Sequence, residues 1–332
     1  MPETIHLPHK PDSPLSYQFI PGQGSSSTSH LVVFLNGLIL TQEGWKPSIE
    51  DLQRRWSEKN VTNHPPLLTY DRFGQGKSAR DPTDPEHDDS HSISEVVNDL
   101  YVLVREVWRH KILAGLGQNG VKPDSPPVTP SLVFVSNSIG CVIARLFADT
   151  YPRTVEALLM LDSNIANSDL VSIFPDPDSP SFDPSALPAD MTIEDLRRTR
   201  TNYCKLFHPS ARNLEGLDRR NIADLLPESD APKLVGPDGE SPWITVVGHD
   251  WNTFADEGER GSMNVPKSLT NMYMNPAWTR YNEGLVCLTD EPKARGPVTA
   301  VGCGHFIQRD DPILVAELVE GMLEKLVRQS WW

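Results

Sequence analysis

The sequence predicts an α/β protein, with a mostly parallel central sheet, helices on both faces and one inserted helical segment. Three observations carry this reading. Short runs rich in β-branched and aromatic residues recur along the chain, and most are followed by a stretch of helical periodicity. One such passage, residues 131–147, turns from strand to helix within Ser136-Asn-Ser-Ile-Gly140. The alternation then stops at about Asn164 and resumes at Trp243. That break divides the chain into a first core part (1–163), an insertion (164–235) and a second core part (236–332). Apolar runs without polar alternation are what a parallel sheet buried on both faces requires.

Taken in order, residues 17–20 form a first strand and 22–29 a flexible Gly- and Ser-rich loop. Leu31-Val-Val-Phe-Leu35 is a buried strand that runs into Asn36-Gly-Leu38. Residues 47–59 read as a helix and 66–70 as the next strand. Asp71-Arg-Phe-Gly-Gln-Gly-Lys-Ser78 is a tight, structural turn to which we assign no chemistry. Its Gly-Lys-Ser lacks the spacing and the following helix of a phosphate-binding loop. Ser92 and Glu95 form a capping box that opens a helix through about His110. Residues 121–130, with four prolines, form a surface loop leading to the strand at 132–135.

The turn at 136–140 is so tight that its central residue, Ser138, must take a strained backbone conformation beside the positive end of the next helix. In that helix Cys141, Ile143, Ala144, Phe147 and Ala148 share one face. A strand at 157–161 ends in Asp162. Residues 174–184 are too rich in proline for regular structure, and a helix follows at 192–207. The strand at 243–247 is followed by Gly248-His-Asp250. Residues 256–295 exceed a simple crossover and carry Tyr273, Trp278 and Tyr281, a second contribution to a pocket roof. The last strand, 298–301, leads into Gly302-Cys-Gly-His305, and a helix at 313–327 closes the chain.

With 30 basic and 45 acidic residues, the chain carries a formal charge of −15. This argues against nucleic acid or an anionic membrane surface as a partner. No apolar stretch approaches the roughly 20 residues of a membrane span, and the first residues lack the character of a signal peptide. The four cysteines show no metal-ligand spacing and read as reduced thiols of a cytoplasmic protein, with Cys141 in the core. The terminal Ser330-Trp-Trp332 is not a peroxisomal address. Oligomeric state is not legible.

The strand, turn and helix around Ser138 resemble the nucleophile elbow of the α/β-hydrolase superfamily, G-x-S-x-G, with Ser136 in place of the first glycine. Asn36-Gly37 is similar to that family's His-Gly pair after its oxyanion strand. Gly302-x-Gly-His305, with Pro312 beyond it, resembles the catalytic histidine loop. The resemblance covers residues 15–163 and 240–330, while the insertion matches the family's helical cap in position and length alone. It implies a serine nucleophile at Ser138, a base at His305 and an oxyanion hole from the N–H groups of Leu38 and Ile139. His249, after a strand, is the reserve base.

The acid stays open between Asp162, preferred, and Asp250, with Asp256 and Glu257 as outside alternatives. Asp162 follows the sixth strand, where a minority of α/β hydrolases carry the acid, fungal lactonases that open the zearalenone ring among them. Phe174, Tyr203, Phe207 and Trp278 either line the substrate pocket or pack the cap on the core. The implied activity is hydrolysis of a small, largely apolar ester or lactone through an acyl-enzyme, with no metal or organic cofactor. Thioester hydrolysis, acyl transfer and C–C bond hydrolysis use the same triad, and some relatives are small-molecule receptors. Ser138 argues against the aspartate-nucleophile epoxide hydrolases and dehalogenases.

Overall fold

The computed structural model describes residues 2–116 and 129–329. Its frame is an eight-stranded sheet. The strands are β1 (Glu3–Leu7), β2 (Lys10–Ile20), β3 (His30–Leu35), β4 (Leu67–Tyr70), β5 (Ser131–Ser138), β6 (Val155–Ser163), β7 (Trp243–His249) and β8 (Ala294–Ala300). Their order across the sheet is 1-2-4-3-5-6-7-8. The pairs β1–β2 and β2–β4 are antiparallel, and every other pair is parallel.

The longer helices are α1 (Lys46–Glu58), α2 (Ile93–Lys111), α3 (Ile139–Thr150), α4 (Ile193–Leu206), α5 (Trp251–Arg260), α6 (Asn275–Val286) and α7 (Pro312–Gln329). Side chains alternate through the pleat, so each central strand feeds two cores. Leu31, Val33 and Leu35 enter one core with Leu100 and Val104 of α2 and Ile143 and Phe147 of α3. Val32 and Phe34 enter the other, with Leu52 and Trp56 of α1 and Val315 and Val319 of α7. This is why the strands read as uninterrupted apolar runs. The predicted capping box on α2 is formed by Ser92 and Glu95.

The N-terminal hairpin departs from the sequence reading, which placed one strand at 17–20. Those four residues are the part of β2 that pairs with both β1 and β4 or with β4 alone. The preceding stretch pairs on one side only, which is where Pro11 and Pro14 are tolerated. The predicted loop at 121–130 falls mostly outside the described residues, as does the terminal Ser330-Trp-Trp332.

Between β6 and β7 the chain leaves the sheet for residues 164–242. This segment carries α4, and its Leu217–Asp218 pairs in parallel with His91–Ser92 ahead of α2. Leu170, Phe174, Leu196, Tyr203, Leu217 and Ile222 join the same apolar cluster as α2 and α3. Strand order reverses between β3 and β5, and the carboxyl ends on either side of such a switch point border a natural crevice.

Candidate active site

At the end of β5, Ser138 has φ 57° and ψ −125°, a region that non-glycine residues rarely occupy. The helix α3 starts on the next residue. A Cβ at Gly140 would lie 2.4 Å from the carbonyl oxygen of Leu35, so only glycine lets the helix approach β3 this closely. Ser136, where the resembling motif has glycine, fits because its buried hydroxyl donates to the Leu159 carbonyl at 3.1 Å.

The loop after β8 brings His305 over this turn, with Nε2 2.9 Å from Ser138 Oγ and Nδ1 2.6 Å from Asp162 Oδ2. A carboxylate only accepts, so Nδ1 carries the proton and the Nε2 lone pair faces the serine hydroxyl. Asn137, inside the turn, donates to the carbonyls of His305 and Leu161, both at 2.9 Å, and ties the histidine loop to the elbow. Gln308 donates to the Asn137 oxygen. Neither of these supports was read from the sequence, since their partners lie far apart in the chain.

Asp162 is fully buried at the end of β6, with φ 45°. Its second oxygen takes His249, whose Nδ1 lies 2.8 Å from Oδ1. The other nitrogen of His249 faces Asn275 Oδ1 at 3.1 Å. The amide nitrogen of Asn275 donates to the Trp251 carbonyl and to Asn271, which fixes the amide's orientation. Both ring nitrogens of His249 therefore face oxygen acceptors, an arrangement that favours the protonated ring. Burial pushes its pKa down, but the Asp162 charge and the hydrogen bonds to Asp162 and Asn275 outweigh this and hold it above the ordinary value. Burial likewise opposes ionisation of Asp162, yet the two histidines hold its pKa below the usual carboxylate range. His249 thus serves the carboxylate, and its hydrogen bonds go to Asp162 and Asn275 rather than to Ser138.

Asp250 is placed elsewhere. It caps α5, accepting the N–H groups of Asn252 and Thr253 at 2.9 and 3.1 Å, and makes no hydrogen bond to His305. Those backbone donors, Thr253 foremost, depress its pKa. Asp256 pairs with Lys267 and Glu257 with Arg309. The ring of Trp278 stands edge-on to His305 with centroids 5.4 Å apart, and its Nε1 donates to the Ser163 carbonyl. Phe174 is fully buried and packs on Tyr203 and Tyr273, while Tyr203 also packs on the half-buried Phe207.

After β3, Gly37 presents its α-carbon to the elbow. A Cβ there would lie 3.4 Å from Ser138 Cβ and 3.2 Å from Asn137 Oδ1. Asn36, where the resembling motif has histidine, is buried between the Tyr70 carbonyl and Trp45 Nε1. As the first residue of α3, Ile139 has an N–H without an intrahelical acceptor.

The chain matches the Alpha/beta hydrolase family over residues 32–318, and it belongs to that family. Solved structures share its fold along nearly the whole chain. One is Est1E from Butyrivibrio proteoclasticus, solved with ferulic acid bound. It is 15% identical with a TM-score of 0.51, over 98% of this chain and 99% of that one. A carboxylesterase structure from Nitrososphaera gargenis is 12% identical with a TM-score of 0.52, over 98% of this chain and 100% of its own. Mouse alpha/beta hydrolase domain-containing protein 10 is 13% identical with a TM-score of 0.51, over 98% and 99%. No curated protein matches the chain by sequence. Among the described residues no helix is long and apolar enough to cross a membrane.

Proposed function

We propose that the protein hydrolyses a carboxylic ester or lactone of a small, largely apolar molecule, with Ser138 as nucleophile, His305 as base and Asp162 as the acid. The observation that carries this reading is the continuous chain Ser138 Oγ to His305 to Asp162, at 2.9 and 2.6 Å. A serine hydroxyl is a poor nucleophile until a neighbouring base takes its proton, and histidine does this near neutral pH.

As Ser138 Oγ bonds to the acyl carbon, its proton passes to His305 Nε2, and Asp162 stabilises the resulting imidazolium. The carbonyl oxygen becomes an oxyanion held by the N–H groups of Leu38 and Ile139. Collapse breaks the bond to the alcohol oxygen, which takes the proton from His305. Water then attacks the acyl-serine with His305 again as base, releasing the acid and restoring the hydroxyl. In a lactone the two products stay joined as one hydroxy acid. Residues 164–235 are read as the cap over this site, with Trp278 beside His305. Free thiols at Cys141, Cys204, Cys287 and Cys303 fit a reducing cytosol.

The test is Ser138→Ala, with turnover of aryl esters and lactones measured beside fluorophosphonate labelling. Labelling should vanish and turnover fall by at least about 10⁴-fold. Turnover within tenfold of the parent, with the probe attached elsewhere, would remove Ser138 from the mechanism.

A further inference from the structure

The turn after β4, Asp71 to Ser78 in the sequence, and the loop after β3 are joined by a buried carboxylate that comes from the insertion. Glu215 is fully buried. Its Oε2 accepts the N–H of Ile39 at 2.7 Å and the amide of Gln75 at 2.7 Å. Its Oε1 accepts from Arg72 Nη2 at 3.0 Å and Nε at 3.3 Å. Arg72, itself only 2% exposed, donates onward to the carbonyl of Asn36 at 2.8 Å and to that of Gly37 at 3.1 Å. Gln75 also donates to the Gly37 carbonyl, at 3.0 Å.

These contacts fix one peptide plane. In a trans peptide the C=O of residue i and the N–H of residue i+1 point in opposite directions. With the Gly37 carbonyl held by Arg72 and Gln75, the Leu38 N–H points away from both, and it has no protein acceptor among the described residues. The next residue, Ile39, has φ 56°, a left-handed conformation that is costly for a β-branched side chain. Its isoleucine side chain is 52% exposed, so apolar packing does not hold it there. The turn bond from the Leu40 N–H to the Gly37 carbonyl, at 3.4 Å, and the shorter bond from the Ile39 N–H to the Glu215 carboxylate restrain it instead.

We propose that Glu215 is a positioning residue for the oxyanion donor Leu38, acting through Arg72, Gln75 and Ile39, so that the insertion must be seated for the hole to be formed. This rests on the serine-hydrolase reading above. The donor must be aimed in advance at the place where charge develops, because a hole that reorganises during the reaction loses its advantage. Arg72 alone would be a buried cation beside two carbonyls. Glu215 neutralises it and fixes which way its guanidinium faces.

The test uses the full chain with Glu215→Gln and, separately, Gln75→Ala. Glutamine keeps an acceptor for the Ile39 N–H but turns an amide against Arg72 or Gln75, and alanine at 75 removes one donor to the Gly37 carbonyl. Three quantities are measured: the rate constant for fluorophosphonate labelling per labelled site, kcat and KM for p-nitrophenyl butyrate, and the inhibition constant of an alkyl trifluoromethyl ketone. The expected result for Glu215→Gln is a 10–100-fold fall in the labelling rate constant and in kcat, with KM within about threefold and ketone affinity falling in parallel with kcat. Gln75→Ala should show a smaller shift of the same pattern. A purely structural role would lower the fraction of sites that label and leave the rate constant at each site unchanged, which would overturn the proposal. Parent-like kcat in both variants would overturn it too. Should Glu215→Gln fail to fold, Gln75→Ala decides by the same criteria. Ser138→Ala in the same assays separates the two readings: labelling that survives there sinks the serine mechanism, whereas lost labelling beside parent-like Glu215 and Gln75 variants sinks this inference alone.

Discussion

Two buried charged clusters stand at the carboxyl end of the sheet, and they are built in opposite ways. Asp162 and His249 sit at the ends of β6 and β7, and His305 on the loop that follows β8, so three neighbouring strands converge on one point. Arg72 and Glu215 come from a turn and from the insertion, 143 residues apart in the chain. The first cluster holds the base proposed to move protons and the carboxylate that orients it. The second touches none of them and holds backbone in place. The difference separates two tasks: strand ends and the loop after β8 bring side chains together, while a contact crossing from outside the sheet holds loop backbone.

The comparison is broken most severely at Asp162. Asp162→Asn keeps the shape but favours the wrong tautomer of His305, and turnover should fall by about 10²–10⁴-fold. Turnover close to the parent, with only the melting temperature lowered, would make Asp162 a structural residue.

His249 sharpens it. If that imidazolium supports the carboxylate without touching the reaction, His249→Gln should lower stability by about 2 kcal/mol and turnover by less than tenfold. The sign of its pH dependence follows from the two shifts. The pKa of His249 is raised above 6.5, so its contribution is complete below that pH and fades as pH rises through the folded value. The pKa of Asp162 is lowered below 3.8, so its share is present above that pH and fades as pH falls through the folded value. The gap in melting temperature between parent and variant should therefore be widest between pH 3.8 and 6.5 and should close on the alkaline side. A gap that widens with pH would mean His249 is neutral.

The smallest effect belongs to Asp250. As the cap of α5, its replacement by alanine should cost about 1 kcal/mol of stability and leave turnover within about twofold. A thousandfold loss of turnover in Asp250→Ala would instead restore it as the acid.

Most of the core was legible because it obeys local rules. Apolar runs gave the central strands, and the five residues 136–140 announced the elbow. Ser138 and His305 could be named because each sits in a short motif whose backbone demands are written beside it. The choice between Asp162 and Asp250 was not, since both follow strands and only the sheet order shows that β6 lies between β5 and β7. The second proton on His249 depends on which way Asn275 turns, and that is set by the Trp251 carbonyl. The turn at 71–78 was assigned no chemistry because its glycines explained its shape. The roles of Arg72 and Gln75 come from Glu215, which stands in a polar stretch with no motif around it.

The seating of Glu215 also bears on how such enzymes are rebuilt. Insertions after the sixth strand look like interchangeable parts, to be traded between scaffolds for a new substrate range. Here the part is not self-contained. A foreign insertion lacking this carboxylate would leave Arg72 as a buried cation without its counter-ion and Ile39 without one of its restraints. On the proposal that Glu215 positions Leu38, a chimera should lose rate before it gains selectivity, unless Arg72, Gln75 and Glu215 are exchanged together as one unit.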